Sequence, residues 1–425
     1  MSEHFTIDRA KQEKLQHIIR RLHEGVPAAE VKKEFAQLID GVSAAEVAEM
    51  EQALIENGMP VEEIQHLCEV HVEVFKASLE KEKVPNKVPG HPVCTMLEEN
   101  KEGRQRLRSL KRAVIAWRLG AGSSEKVLGA LDDMSRIIIH YTRKENQLFP
   151  FLEQKQFTGP SRVMWGKHDE IRALFKESRE KVAKGDRSAI GNLHALAGKI
   201  RRMFFMEEHI LIPEALRRLS EEDWARIRLG EEAIGFAWVQ PGSVYDPHLV
   251  LAGVVNTAGR YPLPAENRPA EVQTSGGPSS SASSSGAISS GTVELNTGRV
   301  PLELLDIALR TMPTDISIVD AQDRVVYYSD SPHRVFPRSP AIIGRTVQNC
   351  HPQKSVATVN RILEAFRKGE RDSARFWLEM GGRFILIEYH ALRDDSGRYL
   401  GTLEVSQDLT EYRALQGQKR LLDWE

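Results

Sequence analysis

The chain has 425 residues, of which 41% are hydrophobic and 28% charged, with a formal net charge of -2. At about 150 residues per domain this length predicts three domains, and the near-neutral balance excludes a dominant electrostatic attraction to nucleic acid or to an anionic membrane. No apolar run approaches the roughly 18 residues of a membrane span, Met1–Ala10 lacks the core of a secretory signal, and three scattered cysteines (Cys68, Cys94, Cys350) point to a reducing, cytoplasmic compartment.

Residues 1–85 predict a small all-α domain of short helices. Pro27 suits a first helical position, Ser43 and Glu46 form a capping box, and Asn57-Gly58 is a stop signal. An apolar series at Ile64, Leu67, Cys68, His71, Phe75 and Leu79 then follows at helical spacing, ended by Pro85, Pro89 and Gly90. Cys68 and His71 make a Cys-x-x-His pair on that face, which suits a packed thiol better than structural zinc, since one pair supplies too few ligands.

Residues 90–235 predict an up-down four-helix bundle, with helices near 92–118, 124–154, 160–184 and 187–218 separated by short Gly-, Ser- or Pro-containing breaks. Helical periodicity fades after Trp238. A linker follows over 265–295, and residues 274–291 hold 13 Ser or Gly in 18 positions, a composition with nothing to bury and a reach of about 25 Å. Beyond it, over 298–425, the period changes. Strands are predicted at 316–319, 325–328, 376–380, 384–389 and 400–405, with helices near 301–311 and 353–369, so this is an α/β domain with a mainly antiparallel sheet.

The 14 histidines matter by position rather than number. Ile138, Tyr141, Leu148 and Leu152 form an apolar stripe whose missing position is Glu145, with His140 beside it. Met164, Ile171 and Phe175 frame His168, and Ile200, Phe204, Leu211 and Ala215 frame Glu208. An ionised carboxylate in a core costs several kcal/mol unless paired or metal-bound. A single buried histidine is more often a satisfied core residue, and Arg143 or Arg172 offers Glu145 an ion-pair partner. Ionisable seam residues on three helices nevertheless point to a shared cation, of the iron, manganese or zinc class that imidazole and carboxylate suit. His91, before Pro92 at the start of the first helix, is placed to supply a fifth ligand.

Gly90-His91-Pro92, His140 with Glu145 and Leu148-Phe149-Pro150, Trp165 to Arg172 around His168, and Glu207-Glu208 with Leu211-Ile212-Pro213 resemble the hemerythrin-like HHE cation-binding family. The resemblance implies a four-helix bundle with a non-haem di-iron centre that binds dioxygen, nitric oxide or related oxidants. It carries over His91, His140, Glu145, His168 and Glu208 as metal ligands. Arg172 stands where a typical member has a second third-helix histidine, and Met203 or Phe204 where a histidine precedes the last acid. These departures leave open coordination positions, a single-metal site, or replacement ligands such as Glu98, Glu99, Cys94 or Glu207. His194 and His209 are read as surface or packing residues.

The N-terminal segment resembles a domain of unknown function that precedes such bundles in multidomain bacterial proteins. The C-terminal region resembles a PAS sensor domain through Ile343-Gly344-Arg345, His351-Pro352, Gly397 to Val405, and Asp408-Leu409-Thr410 leading into an expected exit helix over Glu411 to Leu422. PAS pockets hold haem, flavin, small acids or nothing. Cys350 and His351 are therefore candidate cofactor-binding residues there, although His351-Pro352 also suits a simple helix start. Taken together these features predict a non-haem iron sensor of oxygen, nitric oxide or redox state, coupled to a PAS domain and acting through a partner protein or a PAS homodimer. The alternatives are a di-iron enzyme or iron-handling protein (nitric oxide or peroxide reduction, cluster repair) and a haem-binding PAS sensor with a metal-free bundle.

Overall fold

The computed structural model describes residues 88–253, 291–332 and 334–418, together with positions 17, 21, 26, 27, 30 and 31. The capping box at Ser43 and the Cys68–His71 pair lie outside the described residues. The chain divides into two compact units, Met1–Pro269 and Ala270–Glu425. Among the described residues no helix is long and apolar enough to cross a membrane.

In the first unit α1 runs over Pro92–Arg118, with Pro92 in its first turn and His91 as its N-cap. Proline suits that place because its missing N–H would have no helical partner there. The second long helix is segmented into α2 (Ser124–Ser135), α3 (Ile137–Arg143), a π turn over Lys144–Leu148 and α4 (Phe149–Gln154). The third is α5 (Gly159–Ala183). The fourth is α6 (Ala189–Met206), a second π turn over Glu207–Leu211 and α7 (Ile212–Arg218). A further helix, α8 (Glu221–Glu231), begins at a capping box made by Ser220 and Asp223, and a short α9 (Pro247–Leu251) follows.

Both π turns have the same cause in the sequence. Pro150 and Pro213 lack the N–H that would bond four residues back. The helix widens ahead of each, with the Phe149 N–H donating to the Lys144 carbonyl and the Ile212 N–H to the Glu207 carbonyl. Such one-turn π segments recur at functional sites. The core between the helices is apolar: Leu107, Leu110, Val114, Leu131, Met134, Ile137, Leu148, Ile171, Leu196, Ile200, Phe204 and Leu211 are all buried. Each fully buried large side chain contributes about 1.5–3 kcal/mol.

The second unit opens with a hairpin, β1 (Thr292–Leu295) and β2 (Gly298–Pro301), within and just after the stretch read from composition as linker. Helix α10 (Leu302–Thr311) leads into β3 (Asp315–Asp320) and β4 (Val325–Tyr328). Then come α11 (Gln353–Lys368), β5 (Ser373–Met380), β6 (Arg383–Arg393) and β7 (Tyr399–Asp408). The five-stranded sheet has the order β4-β3-β7-β6-β5, antiparallel throughout. One face packs Val319, Val325, Ile342 and Val347 with Leu363 of α11. The expected exit helix is not formed over the described residues: only a 3₁₀ turn at Tyr412–Ala414 follows β7. Asp408 and Thr410 turn the chain back instead, the Thr410 N–H donating to Asp408 Oδ1 and Thr410 Oγ1 accepting from the Phe384 N–H on β6 (both within 2.9 Å).

Candidate metal centre

Five helical segments bring ionisable side chains into the bundle core: Glu99 from α1, His140 and Arg143 from α3, Lys144 and Glu145 from the first π turn, His168 from α5 and Glu207 from the second. All seven are buried, with relative exposures of 3% or less. At 100° per residue an ordinary α-helix would put Glu145 about 140° round from His140. The wider turn lets Lys144 and Glu145 both face inward, beside His140.

These groups form one continuous chain of contacts. Arg143 Nη1 donates to Glu99 Oε1 at 3.1 Å, and its Nη2 to Glu99 Oε2. Glu99 Oε2 lies 2.6 Å from His140 Nδ1, and His140 Nε2 lies 2.9 Å from Glu207 Oε2. The Lys144 ammonium donates to Glu207 Oε1 and sits 3.4 Å from His168 Nε2. His168 Nδ1 meets Glu145 Oε1 at 2.7 Å, and Arg172 Nη2 donates to Glu145 Oε2 at 2.7 Å. The His168 ring stacks on Tyr141 with centroids 4.0 Å apart.

Electrostatics follow from this wiring. Burial alone would raise the pKa of Glu99 and Glu207, but His140 and Arg143 on one, and Lys144 and His140 on the other, hold both well below the usual carboxylate range. Burial, with Lys144 and Arg172 nearby, keeps His168 neutral by lowering its pKa well below that of a free imidazole. Burial also lowers Lys144, against the pull of Glu207. Three carboxylates (Glu99, Glu145, Glu207) thus meet three cationic side chains (Arg143, Lys144, Arg172).

Glu231 of α8 is the exception. Its Oε1 accepts from Arg143 Nε at 3.0 Å, yet burial, with the Glu99 charge adding to it, pushes its pKa up to about 7 against the pull of Arg143 and Arg228. A carboxyl raised above its unfolded value favours the fold below the unfolded pKa and loses that contribution as pH rises through the folded one. Glu231→Gln is therefore expected to gain stability relative to the parent as pH rises from about 4.5 to about 7, by at most about 3 kcal/mol, and to hold that gain above it. Thermal melts across that range check it: parallel pH profiles for the two proteins would refute it.

The residues singled out from sequence divide by position. His140, Glu145 and His168 share the core cluster. His91 is buried at the helix start, where Nδ1 accepts from the Val93 N–H at 3.1 Å, Nε2 lies 3.9 Å from Glu221 Oε2, and the ring rests against Trp224 and Tyr245. Eight residues separate it from Glu99, about 12 Å along a helix. Glu208 turns to the bundle surface and forms a two-pronged pair with Arg104 at 2.6 and 2.7 Å. Among the alternatives weighed, Glu99 and Glu207 are in the cluster, whereas Cys94 and Glu98 face each other on the exposed side of α1 at 3.9 Å. Sequence reading missed Lys144 and Glu231. Lys144 was legible as the position four residues after His140, on the same helical face.

In the second unit Cys350 is half-buried against the apolar cluster of β3, β4 and α11, and its Sγ lies 3.6 Å from the Thr346 carbonyl. His351 Nδ1 meets the Val347 carbonyl at 2.8 Å. Both side chains are thus engaged by the 3₁₀ turn over Val347–Cys350 and its N-cap Thr346.

Residues 91–215 match the hemerythrin HHE cation-binding domain family, which gives the bundle its class. Residues 15–81 match a family of unknown function, DUF438, and residues 305–410 a PAS domain family. The chain is therefore a multidomain protein that carries DUF438, hemerythrin HHE and PAS segments in that order. It is similar to a solved C-terminal domain from Streptococcus mutans, 32% identical, covering 30% of this chain and 98% of that one with a TM-score of 0.29. It is also similar to a sensory box sensor histidine kinase from Vibrio cholerae (16% identical, 25% and 90% covered, TM-score 0.20) and to the PAS domain of Bordetella pertussis BvgS (19%, 27% and 89%, TM-score 0.22). No curated protein matches the chain.

The donor chemistry fits the cation that the family implies. Imidazole and carboxylate are donors that suit iron, manganese or zinc. His140 lies between Glu99 on Nδ1 and Glu207 on Nε2, and His168 between Glu145 on Nδ1 and Lys144 at Nε2, so Glu99 and Glu145 stand where outer carboxylates hold a metal-bound histidine. As packed, however, no group of three or more His, Cys, Asp or Glu among the described residues is spaced to hold a metal. The ammonium of Lys144 stands between them.

Proposed function

We propose that this protein is a metal-dependent sensor whose bundle binds non-haem iron and responds to dioxygen, nitric oxide or redox state, with the PAS domain as a second input or as the route to an output partner. One observation carries the reading: His140 Nε2 and His168 Nε2 both face the Glu207 and Lys144 head groups in the buried interior of the bundle. In this reading His140, His168 and Glu207 hold the metal, and Glu145 and Glu99 hold the Nδ1 side of each imidazole. Iron there would supply coordination positions for a diatomic ligand. Arg143 and Arg172 offset the carboxylate charge, and Tyr141 and Phe149, both stacked on His168, keep water from the ring.

The test is the metal content and optical spectrum of full-length protein purified without air and then exposed to oxygen or nitric oxide. At least one iron per chain and a gas-dependent spectral change are expected. His168→Ala should lose the metal while far-ultraviolet circular dichroism stays helical. His91→Ala and Glu208→Ala should keep it, because their contacts run to Trp224 and Tyr245 and to Arg104. Metal-free parent protein after reconstitution with ferrous iron would refute the reading.

A further inference from the structure

Lys144 has no place in a ligand set, yet it occupies the middle of this one. It is fully buried on the first π turn, four residues after His140 and directly before Glu145. Its ammonium donates to Glu207, lies 3.4 Å from His168 Nε2, and sits 4.7 Å over the ring centroid of Tyr141. The carboxylate and the imidazole lone pair that it uses are those a metal would need.

A metal ion and an ammonium cannot share these donors. Both need the Glu207 carboxylate at contact distance, and two cations held side by side in a buried site repel strongly. The charge count points the same way. With Lys144 in place, Glu99, Glu145 and Glu207 already face Arg143, Lys144 and Arg172. A metal added without removal of the ammonium would place a further cation among groups that already have cationic partners. If Lys144 withdraws, the metal inherits a negative charge that was already neutralising a cation. The withdrawal would use rotation about the flexible four-carbon stem of the lysine.

We infer that Lys144 is the built-in competitor of the metal: the centre has an ammonium-in state and a metal-in state, and metal enters by displacing the ammonium from Glu207 and His168. This rests on the metal-binding reading above. In the ammonium-in state Lys144 gives Glu207 a cationic partner without metal. It also weakens the site by whatever it takes to move the lysine. The bundle would therefore report metal occupancy by the position of one side chain, rather than by folding and unfolding.

Cobalt(II) is a suitable probe, because its visible absorption reports imidazole and carboxylate ligation directly. Chelator-treated full-length protein and its Lys144→Met variant are titrated anaerobically with cobalt(II), followed by absorption and by calorimetry. The variant is expected to bind at least tenfold tighter than the parent. Equal affinities, or tighter binding by the parent, would overturn the inference while leaving the metal site standing. No binding by either protein would overturn the metal reading itself. Should the variant fail to fold, the parent alone decides the matter through amine acetylation mapped by mass spectrometry. Lys144 is expected to be protected without cobalt(II) and to become reactive when the site is saturated. Protection that persists at saturation would overturn the inference.

Discussion

Glu207→Leu is expected to destabilise the bundle by about 3–5 kcal/mol, the usual cost of removing one partner from a buried ion pair. The loss comes from what stays behind: with its main carboxylate gone, the fully buried Lys144 must either carry an unpaired charge or give up its proton, and both cost stability. Lys144→Met combined with Glu207→Leu should recover most of that loss, since replacing both members of a buried pair with apolar groups is often neutral. Denaturant unfolding followed by circular dichroism, which the bundle helices dominate, measures all three variants. Additive effects of the two substitutions would show that the pair is not coupled. In the parent protein, the depressed pKa values of Glu99 and Glu207 give stability that is present above the ordinary carboxylate range and lost as pH falls through it. The neutral His168 acts in the same direction, with its loss beginning below the free imidazole value.

Gly90→Ala is expected to have the second largest effect, on the order of 3 kcal/mol. Gly90 has φ +94°, a conformation that L side chains rarely adopt, and an added Cβ would fall on the Gly242 carbonyl oxygen and within 2.9 Å of its carbon. The backbone cannot yield easily there, because the Tyr245 N–H donates to the Pro89 carbonyl at 2.9 Å across the same junction. His91 would move with it, away from Trp224 and Tyr245. A melting temperature several degrees below the parent value is expected, and an unchanged one would show that the junction is compliant.

Much of this architecture was legible in the sequence because it follows local rules. Helix starts at Pro92 and Ser124, the strand pattern around Gly381-Gly382 and the seam positions of His140 and His168 are set by residues close in the chain. Glu99 was legible in the same way, since Met96, Glu99, Gly103, Leu107 and Leu110 continue one stripe of α1. Choosing between Glu207 and Glu208 depended on the π turn. An α-helical count allows either neighbour, and only the widening forced by Pro213 fixes Glu207 inward and Glu208 on Arg104. Lys144 was hidden by expectation rather than by distance, because a lysine beside a histidine normally belongs to a solvated face. The hairpin at 292–301 was masked by the Ser/Gly-rich composition on its N-terminal side.

Glu99 also fastens main chain. Its Oε1, which Arg143 holds from one side, accepts the Ala237 N–H at 2.7 Å from the other, and Arg143 Nη1 donates to the Gly235 carbonyl at 3.0 Å. The strap that leaves α8 is thus buttoned onto the same carboxylate that steadies His140. A change of charge at Glu99 would therefore bear on the backbone of residues 235–237 through two hydrogen bonds, one direct and one by way of Arg143.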